Sequence, residues 1–297
     1  MAGRKPFCAD VSRANAEPLG ATASRIENWI LVEYRGVWSR DLLRGSTFSE
    51  PVKRHLREQL GALPHSRLLF VRRPERRGSR GFALFVARSS ERDPALHALE
   101  VPEYDDLRDV DMTAAPGERV GHPLLVVCTH GKRDRCCSLY GRPLYEELRA
   151  EAGEDWVWQS SHVGGDRFAG NLVCLPEGLY FGRVGRGEVW GLLDEYLAGR
   201  IELGHYRGRS SYGFAVQAAE RRIREETGLA GIHDLALTEV ERSADGAWRV
   251  AFLAGGALHE VDVVEELGEL TYLTCDAATT KRPRRFVAAS RRTGATA

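Results

Sequence analysis

Two short apolar runs, each leading into cysteine, histidine or acidic residues, constrain this chain more than any other feature. The runs are Leu124–Val127 and Trp156–Gln159. The first run is followed by Cys128, His130, Cys136 and Cys137, and the second by His162 and Asp166. Because the strands of an α/β sheet end in a shared crevice, these side chains are expected to converge. Thiolates and imidazoles bind zinc, copper or iron–sulfur clusters rather than hard cations, so the sequence predicts a Cys/His metal site at a sheet edge.

The spacing of the ligands favours redox iron over structural zinc. Eight residues separate Cys128 from Cys137, which is neither the CxxC of a thioredoxin redox pair nor the short gap of a zinc ribbon. His162 and Asp166 are four residues apart and would share one face of a helical turn. The Gly-Gly pair between them allows close backbone approach to inorganic sulfide. These residues therefore suggest two thiolates on one iron, with an imidazole and a carboxylate or second nitrogen on the other.

Other interpretations of the cluster remain open. The cysteines could be buried hydrophobic residues, or the group could bind zinc. A thioredoxin-type thiol enzyme would use Cys128 as the attacking thiol and Cys136 or Cys137 as the resolving thiol. His130 is expected to orient a ligand rather than to bind the metal, and Cys174 is expected to pack in a core. A metal-free interaction module is the remaining alternative.

Composition and charge exclude several classes of protein. The 297 residues include 42 Lys and Arg and 42 Asp and Glu, so no net field favours nucleic acid or an anionic membrane. No apolar run approaches the roughly 20 residues that span a bilayer, and the first residues lack the apolar core of a secretory signal. Six cysteines, four of them clustered, are typical of reduced thiols in the cytoplasm. Cys8 stands apart from the others and is expected to be a buried spectator.

The pattern of apolar residues and turns predicts an α/β protein of three domains. Residues 123–204 have the order βαβαββα of a thioredoxin-like domain. Residues 1–122 form a smaller α/β half that looks like a reduced copy, and residues 205–297 add a C-terminal helix and short strands. The predicted strands cover residues 29–33, 67–72, 82–87, 123–128, 156–160, 171–175, 179–184, 234–241, 247–253, 257–264 and 270–274, and the predicted helices 50–60, 139–152, 188–198 and 207–228. An arm over 1–27 and a turn over 74–81 are expected to be irregular. Residues 89–122 are expected to form a linker or a wrapping strand, and the basic residues 281–297 to be frayed at the end.

The motifs CTHGKRDRCC and SSHVGGDRFAGN resemble those of the sucrase/ferredoxin-like family, whose redox domain is a thioredoxin-like [2Fe–2S] ferredoxin. The resemblance extends over nearly the whole chain. The family pattern C-x-H-x-x-R-D-x-x-C, followed by H-x-G-G-H-x-[FY]-A, implies cluster ligands at Cys128, Cys137, His162 and position 166. Position 166 is Asp here rather than His. Asp166 is therefore the expected fourth ligand, with Cys136, Cys174 or solvent as alternatives.

The resemblance implies an electron-transfer protein that carries one [2Fe–2S] cluster. Such a protein would be an electron carrier or a redox sensor rather than an enzyme. It would act with a redox partner protein, a reductase or an electron acceptor. A basic rim is expected to attract an acidic partner and comprises Lys132, Arg133, Arg135 and Arg167. The thiol enzyme and the metal-free module are the alternatives to this function.

Overall fold

The computed structural model describes residues 5–73, 81–153, 155–244 and 246–295. Its α-helices are α1 (Cys8–Ala14), α2 (Leu42–Gly45), α3 (Glu50–Ala62), α4 (Arg135–Glu151), α5 (Val189–Leu197) and α6 (Phe214–Thr227). Its strands are β1 (Asn28–Glu33), β2 (Ser66–Arg72), β3 (Phe82–Arg88), β4 (Ala95–Val101), β5 (Glu118–Arg119), β6 (Leu124–Cys128), β7 (Val157–Ser160), β8 (Leu172–Leu175), β9 (Leu179–Phe181), β10 (Tyr206–Arg209), β11 (Leu235–Arg242), β12 (Trp248–Ala254), β13 (Ala257–Leu267) and β14 (Arg284–Ala295). Short 3-10 helices cover Tyr104–Asp109, Met112–Ala114 and Asp166–Phe168. The predicted α/β class is confirmed.

The chain divides into two compact units. The large-sheet unit consists of Ile26–Gly164 and Gly170–Gly178. The terminal unit consists of the described residues among 1–25, 165–169 and 179–297. The division into three domains at residues 122 and 204 stays a prediction. No helix in the described parts of the chain is both long enough and apolar enough to cross a membrane.

The large-sheet unit uses the same strand arrangement twice. Its strand order is β8-β6-β7-β2-β1-β3-β4-β5. In the first half, β1 is parallel to β2 and antiparallel to β3. In the second half, β6 is parallel to β7 and antiparallel to β8. The antiparallel pair of β2 and β7 joins the halves, so each half presents the end of its first strand beside a crossover helix.

Local sequence explains how the second half places α4 against β6. All five residues of β6 are buried, as expected for a strand covered on both faces. The carboxylate of Asp134 accepts a hydrogen bond from the Cys136 N–H at 2.8 Å and caps the first turn of α4. A Cβ at Gly141 would lie 2.0 Å from the carbonyl oxygen of Cys128. Glycine therefore lets α4 pack directly against the end of β6.

The terminal unit contains an antiparallel sheet in the order β11-β12-β13-β14, on which α6 packs. The core between helix and sheet is apolar and includes Ala219, Ile223, Val250, Phe252 and Val261. In the same unit, β9 and β10 form an antiparallel pair. The predicted helix-plus-strand composition of the C-terminal region is present here.

Two predictions in the terminal unit were wrong about helices. The arm over residues 1–27 contains α1, because Cys8, Ala9 and Ser12 form one buried face of a short helix. The helix predicted over 207–228 starts only at Phe214. The residues before it form β10, which pairs with β9, and Gly208 there has a φ of 138°, outside the helical region.

Predictions for the irregular segments also need correction. The strand predicted over 270–274 is replaced by a single bridge between Thr271 and Lys281. The fourth strand is β14, within the basic end, and its arginines pair with acidic residues of β13, as in the Arg292–Asp262 ion pair at 2.8 Å. The segment 89–122, expected to be a linker or a wrapping strand, contributes β4 and β5 to the large sheet. Residues 74–80 of the predicted turn lie outside the described residues, and so do residues 296 and 297.

Candidate metal site

Three of the four predicted ligands lie together in the large-sheet unit. The Sγ atoms of Cys128 and Cys137 and a ring nitrogen of His162 lie within 4.8 Å of one another. The distance from Cys137 Sγ to His162 Nδ1 is 3.9 Å. Both cysteines are buried and His162 is partly exposed. The folded chain therefore brings two thiols and one imidazole to a single point near the protein surface.

The two cysteines are held by different elements of the second half. Cys128 is the last residue of β6, where it pairs with Ser160 of β7, and its N–H donates to the carbonyl of Asn171 at 3.1 Å. Cys137 lies in the first turn of α4, where its N–H donates to the Asp134 carbonyl at 3.2 Å. A strand end and a helix start thus fix the two sulfurs independently.

The loop after β7 positions His162. The N–H of Ser161 donates to the Phe70 carbonyl at 2.7 Å, and the Phe70 N–H donates to Ser161 Oγ at 2.9 Å. On the other side of His162, the Arg67 guanidinium donates to the carbonyl of Val163 at 2.5 Å. These bonds tie both neighbours of His162 to β2, so the imidazole is held by the first half of the large sheet.

The environment favours the thiolate form of Cys128. Hydrogen bonding from Cys137 lowers the pKa of Cys128 well below the ordinary value of 9.0, against the opposing effect of burial. His162 and the Val163 backbone N–H lower it further. Cys174 shows the opposite behaviour, because burial raises its pKa well above the ordinary value. Cys174 lies on β8 opposite Leu125, within the apolar interior.

His130 is buried next to this group and is predicted to orient a ligand. Its ring stands edge-on to Trp38, with 5.8 Å between ring centroids. Burial lowers the pKa of His130, its charge interacts with Cys128 and His162, and backbone hydrogen bonds with Trp38 and Ser39 oppose the shift. A neutral imidazole therefore borders the cluster, and its orienting role stays a prediction.

The structure places the fourth predicted ligand in the other unit. Asp166 begins the short 3-10 helix of the terminal unit and is buried. It is not a member of the group formed by Cys128, Cys137 and His162. Asp166, Cys136 and solvent remain predictions for the fourth ligand, whereas Cys174 packs in the apolar interior, as expected, and lies outside the group.

Two residues that organise the site were not among the predicted site residues. Asp134 caps α4 through its carboxylate. An Asp directly before a helical run is the signal that could have identified this cap. Gly141 was missed, because its role depends on the packing of α4 against Cys128, which the local sequence does not contain.

The donor set fits a thiophilic metal ion. Metal–sulfur and metal–nitrogen bonds of about 2.3 and 2.05 Å separate the two donor atoms by roughly 3.5 Å in tetrahedral geometry. The observed 3.9 Å between Cys137 Sγ and His162 Nδ1 is close to this value. Three protein donors leave one coordination position for a fourth ligand.

Comparison with known proteins identifies the family. Residues 19–208 match the Sucrase/ferredoxin-like family, which is well over half of the chain. The chain belongs to the sucrase/ferredoxin-like family. The match includes the whole of the Cys128, Cys137 and His162 group and the strands that carry it, so the candidate site lies within the family domain.

Curated relatives share one name. The chain is similar to "Altered inheritance of mitochondria protein 32" of Meyerozyma guilliermondii, with 30% identity over 44% of this chain and 51% of the relative. It is 31% identical to the protein of that name from Eremothecium gossypii, over 32% of this chain and 35% of the relative. The Debaryomyces hansenii protein is 32% identical over 30% of this chain and 36% of its own length. The chain thus spans about half or less of these relatives, and no solved structure matches it.

These relatives correct the predicted function. The prediction of an electron-transfer protein carrying a [2Fe–2S] cluster was wrong, because the matching proteins are named for altered inheritance of mitochondria and not as electron carriers. The family itself is confirmed, but an identity as a thioredoxin-like [2Fe–2S] ferredoxin is not. The structure supports the coarser conclusion that the chain contains a cysteine and histidine group able to hold a metal.

Proposed function

We propose that this member of the sucrase/ferredoxin-like family is a metal-binding protein, in which Cys128, Cys137 and His162 hold one thiophilic metal centre. The observation that carries the proposal is the convergence of their donor atoms within 4.8 Å in the large-sheet unit. Soft sulfur donors and an imidazole select zinc, copper or iron over calcium and magnesium. A bound centre would join β6, α4 and the loop after β7.

The ionisation of the site supports metal binding. A cysteine must lose its proton before it coordinates a metal, so metal affinity falls wherever the thiol is hard to ionise. The pKa of Cys128 is lowered by its hydrogen bond with Cys137 and by His162, in spite of burial. The free energy needed to ionise this ligand is therefore reduced before the metal arrives.

The finer proposals concern the cofactor, its fourth ligand and the compartment. The centre is either a single ion such as zinc or the [2Fe–2S] cluster predicted from the sequence. Asp166 stays the fourth ligand implied by the family resemblance, and its substitution tests that prediction. A cytoplasmic location fits a cluster of thiols that must remain reduced.

Elemental analysis of the purified protein tests the proposal. The full chain is purified without oxygen or chelator, and its zinc, copper, iron and acid-labile sulfide are measured per chain together with the visible spectrum. We expect one metal centre per chain. Zinc without visible bands would identify a single ion, whereas equal amounts of iron and sulfide with visible bands would identify a cluster.

Variants connect the metal to the site. Cys128→Ser and Cys137→Ser are each expected to lose most of the metal, and Asp166→Ala tests the fourth ligand. Cys174→Ser is the matched control, because Cys174 is equally buried on the neighbouring strand but outside the group. Wild-type protein without metal, or metal that survives the first two substitutions and is lost in the control, would overturn the proposal.

A further inference from the structure

A second pair of cysteines lies within the terminal unit and supplies none of the three donors of the candidate metal site. Cys8 is the first residue of α1, and Cys275 lies in the segment between β13 and β14. Their Sγ atoms are 3.7 Å apart although 267 positions separate them in the chain. Both residues are almost completely buried, with 0% and 2% of their surfaces exposed.

From this geometry we propose that Cys8 and Cys275 form a site of oxidative modification, a disulfide that covalently joins the N-terminal segment to the segment between β13 and β14. Both thiols are intact in this structure. A disulfide bond is about 2.05 Å long, so the sulfurs need to approach by less than 2 Å. The proposal is independent of the proposed metal site, since neither cysteine is one of its three donors.

Several further contacts hold the two segments together in the position that the bond requires. The Lys5 ammonium donates to the Ala277 carbonyl and lies 4.4 Å from the centre of the Tyr272 ring. At the far end of α1, the Asn15 amide donates to the Leu270 carbonyl at 3.3 Å. Because these contacts flank the sulfur pair on both sides, the thiols stay within reach of each other without the covalent bond.

The oxidant would be a low-molecular-weight disulfide such as glutathione disulfide. One protein thiolate attacks the glutathione disulfide and forms a mixed disulfide, releasing the first glutathione. The second protein thiolate then attacks the mixed disulfide at the protein sulfur and releases the second glutathione. Two protein S–H bonds are lost and one protein S–S bond forms. The two electrons and two protons are transferred to glutathione disulfide, which is thereby reduced to two glutathione thiols.

The surroundings of the pair allow slow access by a small oxidant. The segment 268–283 contains one isolated bridge, Thr271–Lys281, in place of a continuous strand. The helix α1 has only seven residues. Short elements with few backbone hydrogen bonds open locally at a lower free energy than the core of a sheet. Once formed, the buried bond is protected from reductants when the segments close.

The bond is expected to stabilise the unit, because a cross-link between distant positions removes more freedom from the unfolded chain than a local one does. The bond would close a loop between cysteines 267 positions apart. For a loop of this length, we expect oxidation to raise the thermal unfolding midpoint by roughly 10 °C. Cys8→Ser and Cys275→Ser should each abolish that rise, whereas Cys174→Ser should retain it.

Peptide mapping provides the decisive test. The full-length protein is equilibrated with glutathione disulfide, unfolded in denaturant that contains excess iodoacetamide, digested with trypsin without reduction, and analysed by mass spectrometry. We expect the peptide of residues 5–13 to be linked to the peptide of residues 250–281, with two fewer alkylated thiols per chain. After treatment with a reductant, the linked species should disappear and both alkylated peptides should return.

The same map contains the outcomes that would overturn the proposal. One is an oxidised protein in which Cys8 and Cys275 remain alkylated. A second is a link from either residue to the peptide of residues 136–149, which contains Cys136 and Cys137. A third is protection from alkylation without any linked peptide. Because the mapping uses wild-type protein, the conclusion does not depend on whether a cysteine variant folds.

Discussion

The two halves of the large-sheet unit share one strand arrangement but place different residues at the ends of their first strands. In the first half, β1 ends at Glu33 and is followed by Tyr34, whose ring packs 4.7 Å from that of Phe70. In the second half, β6 ends at Cys128, and the same region receives Cys137 and His162. A repeated fold therefore supplies a position at the strand end, while the residues placed there decide between an aromatic core and a candidate metal site.

The first half uses its strand end for stability. Phe48 stands edge-on to Tyr34 at 5.2 Å, and both rings belong to the core that covers one face of this half. The carboxylate of Glu33 accepts a hydrogen bond from the Ala83 N–H at 2.9 Å, which satisfies a buried acid with a neighbouring strand. The first half has no cysteine at all, so it resembles the second in topology alone.

The largest predicted effect comes from the aromatic core of the first half. Phe70→Ala leaves a cavity among Tyr34 and Phe48 and is expected to lower the free energy of unfolding by about 3–5 kcal/mol. In the second half, Cys137→Ala removes only a sulfur and is expected to lower the free energy of unfolding of the metal-free protein by about 1 kcal/mol. Denaturant unfolding of both variants with a chelator present measures this difference. Equal losses would show that both strand ends serve stability alike.

A pair of helix glycines sharpens the comparison. Gly141→Ala would push α4 away from Cys128, and the overpacking is expected to cost about 1–3 kcal/mol and to weaken metal binding. The crossover helix of the first half contains Gly61, around which a Cβ would meet nothing within 4 Å. Gly61→Ala is therefore expected to stabilise the protein by about 0.5–1 kcal/mol. If the two substitutions change thermal stability in the same direction, the close approach of α4 to β6 is not needed.

Two adjacent serines test how the first half supports the site of the second. Ser161→Ala leaves the buried Phe70 N–H without its acceptor, which is expected to cost about 1–3 kcal/mol. Because the same bond positions the loop of His162, metal affinity should fall by roughly 10-fold or more. Competition with a chelator of known affinity measures this change.

Ser160 is the matched control for that experiment. Its Oγ is buried and has no hydrogen-bond partner within the described residues. Ser160→Ala is therefore expected to be neutral or slightly stabilising and to leave metal affinity unchanged. Similar losses of affinity in both alanine variants would mean that the Phe70–Ser161 bond does not position the imidazole.

The smallest predicted effect is a dependence on pH that only the second half should show. The pKa of Cys128 is lowered, first by Cys137 and then by His162, against burial. A group with a lowered pKa in the folded state contributes stability that is complete above its unfolded pKa and is lost as pH falls through the folded pKa. The free energy of unfolding of metal-free protein should therefore rise as pH increases from the folded pKa to about 9. Unfolding at several pH values should show a smaller rise for Cys128→Ser, and an unchanged rise would refute the assignment.

Much of the fold could be predicted because many elements have a local signal. The alternation of apolar and polar residues predicted the strands around Trp248 and Phe252, and the spacing of Val52 and Leu56 predicted α3. The errors occurred where pairing overrides local pattern. Residues 207–209 form part of β10 because β9 lies beside them, and the basic residues of β14 are ordered by acidic partners on β13.

The candidate site was predictable to a similar extent. The apolar runs grouped Cys128, Cys137 and His162 with His130, Cys136 and Asp166, and the family resemblance implied which of them are ligands. The sequence could not show that Ser161 is anchored to Phe70, since 91 positions separate these residues. It also could not pair Cys8, expected to be a buried spectator, with Cys275.

By itself, the sequence determined the types of donor atom, the strands that carry them and the family to which the chain belongs, because these properties depend on residues close together in the chain. Only the tertiary structure decided which donors meet, since convergence depends on strand pairing and on the approach of α4 to β6. It also decided that the terminal segments bring two thiols to 3.7 Å. Contacts between distant positions arise from packing of whole elements, and no local pattern encodes them.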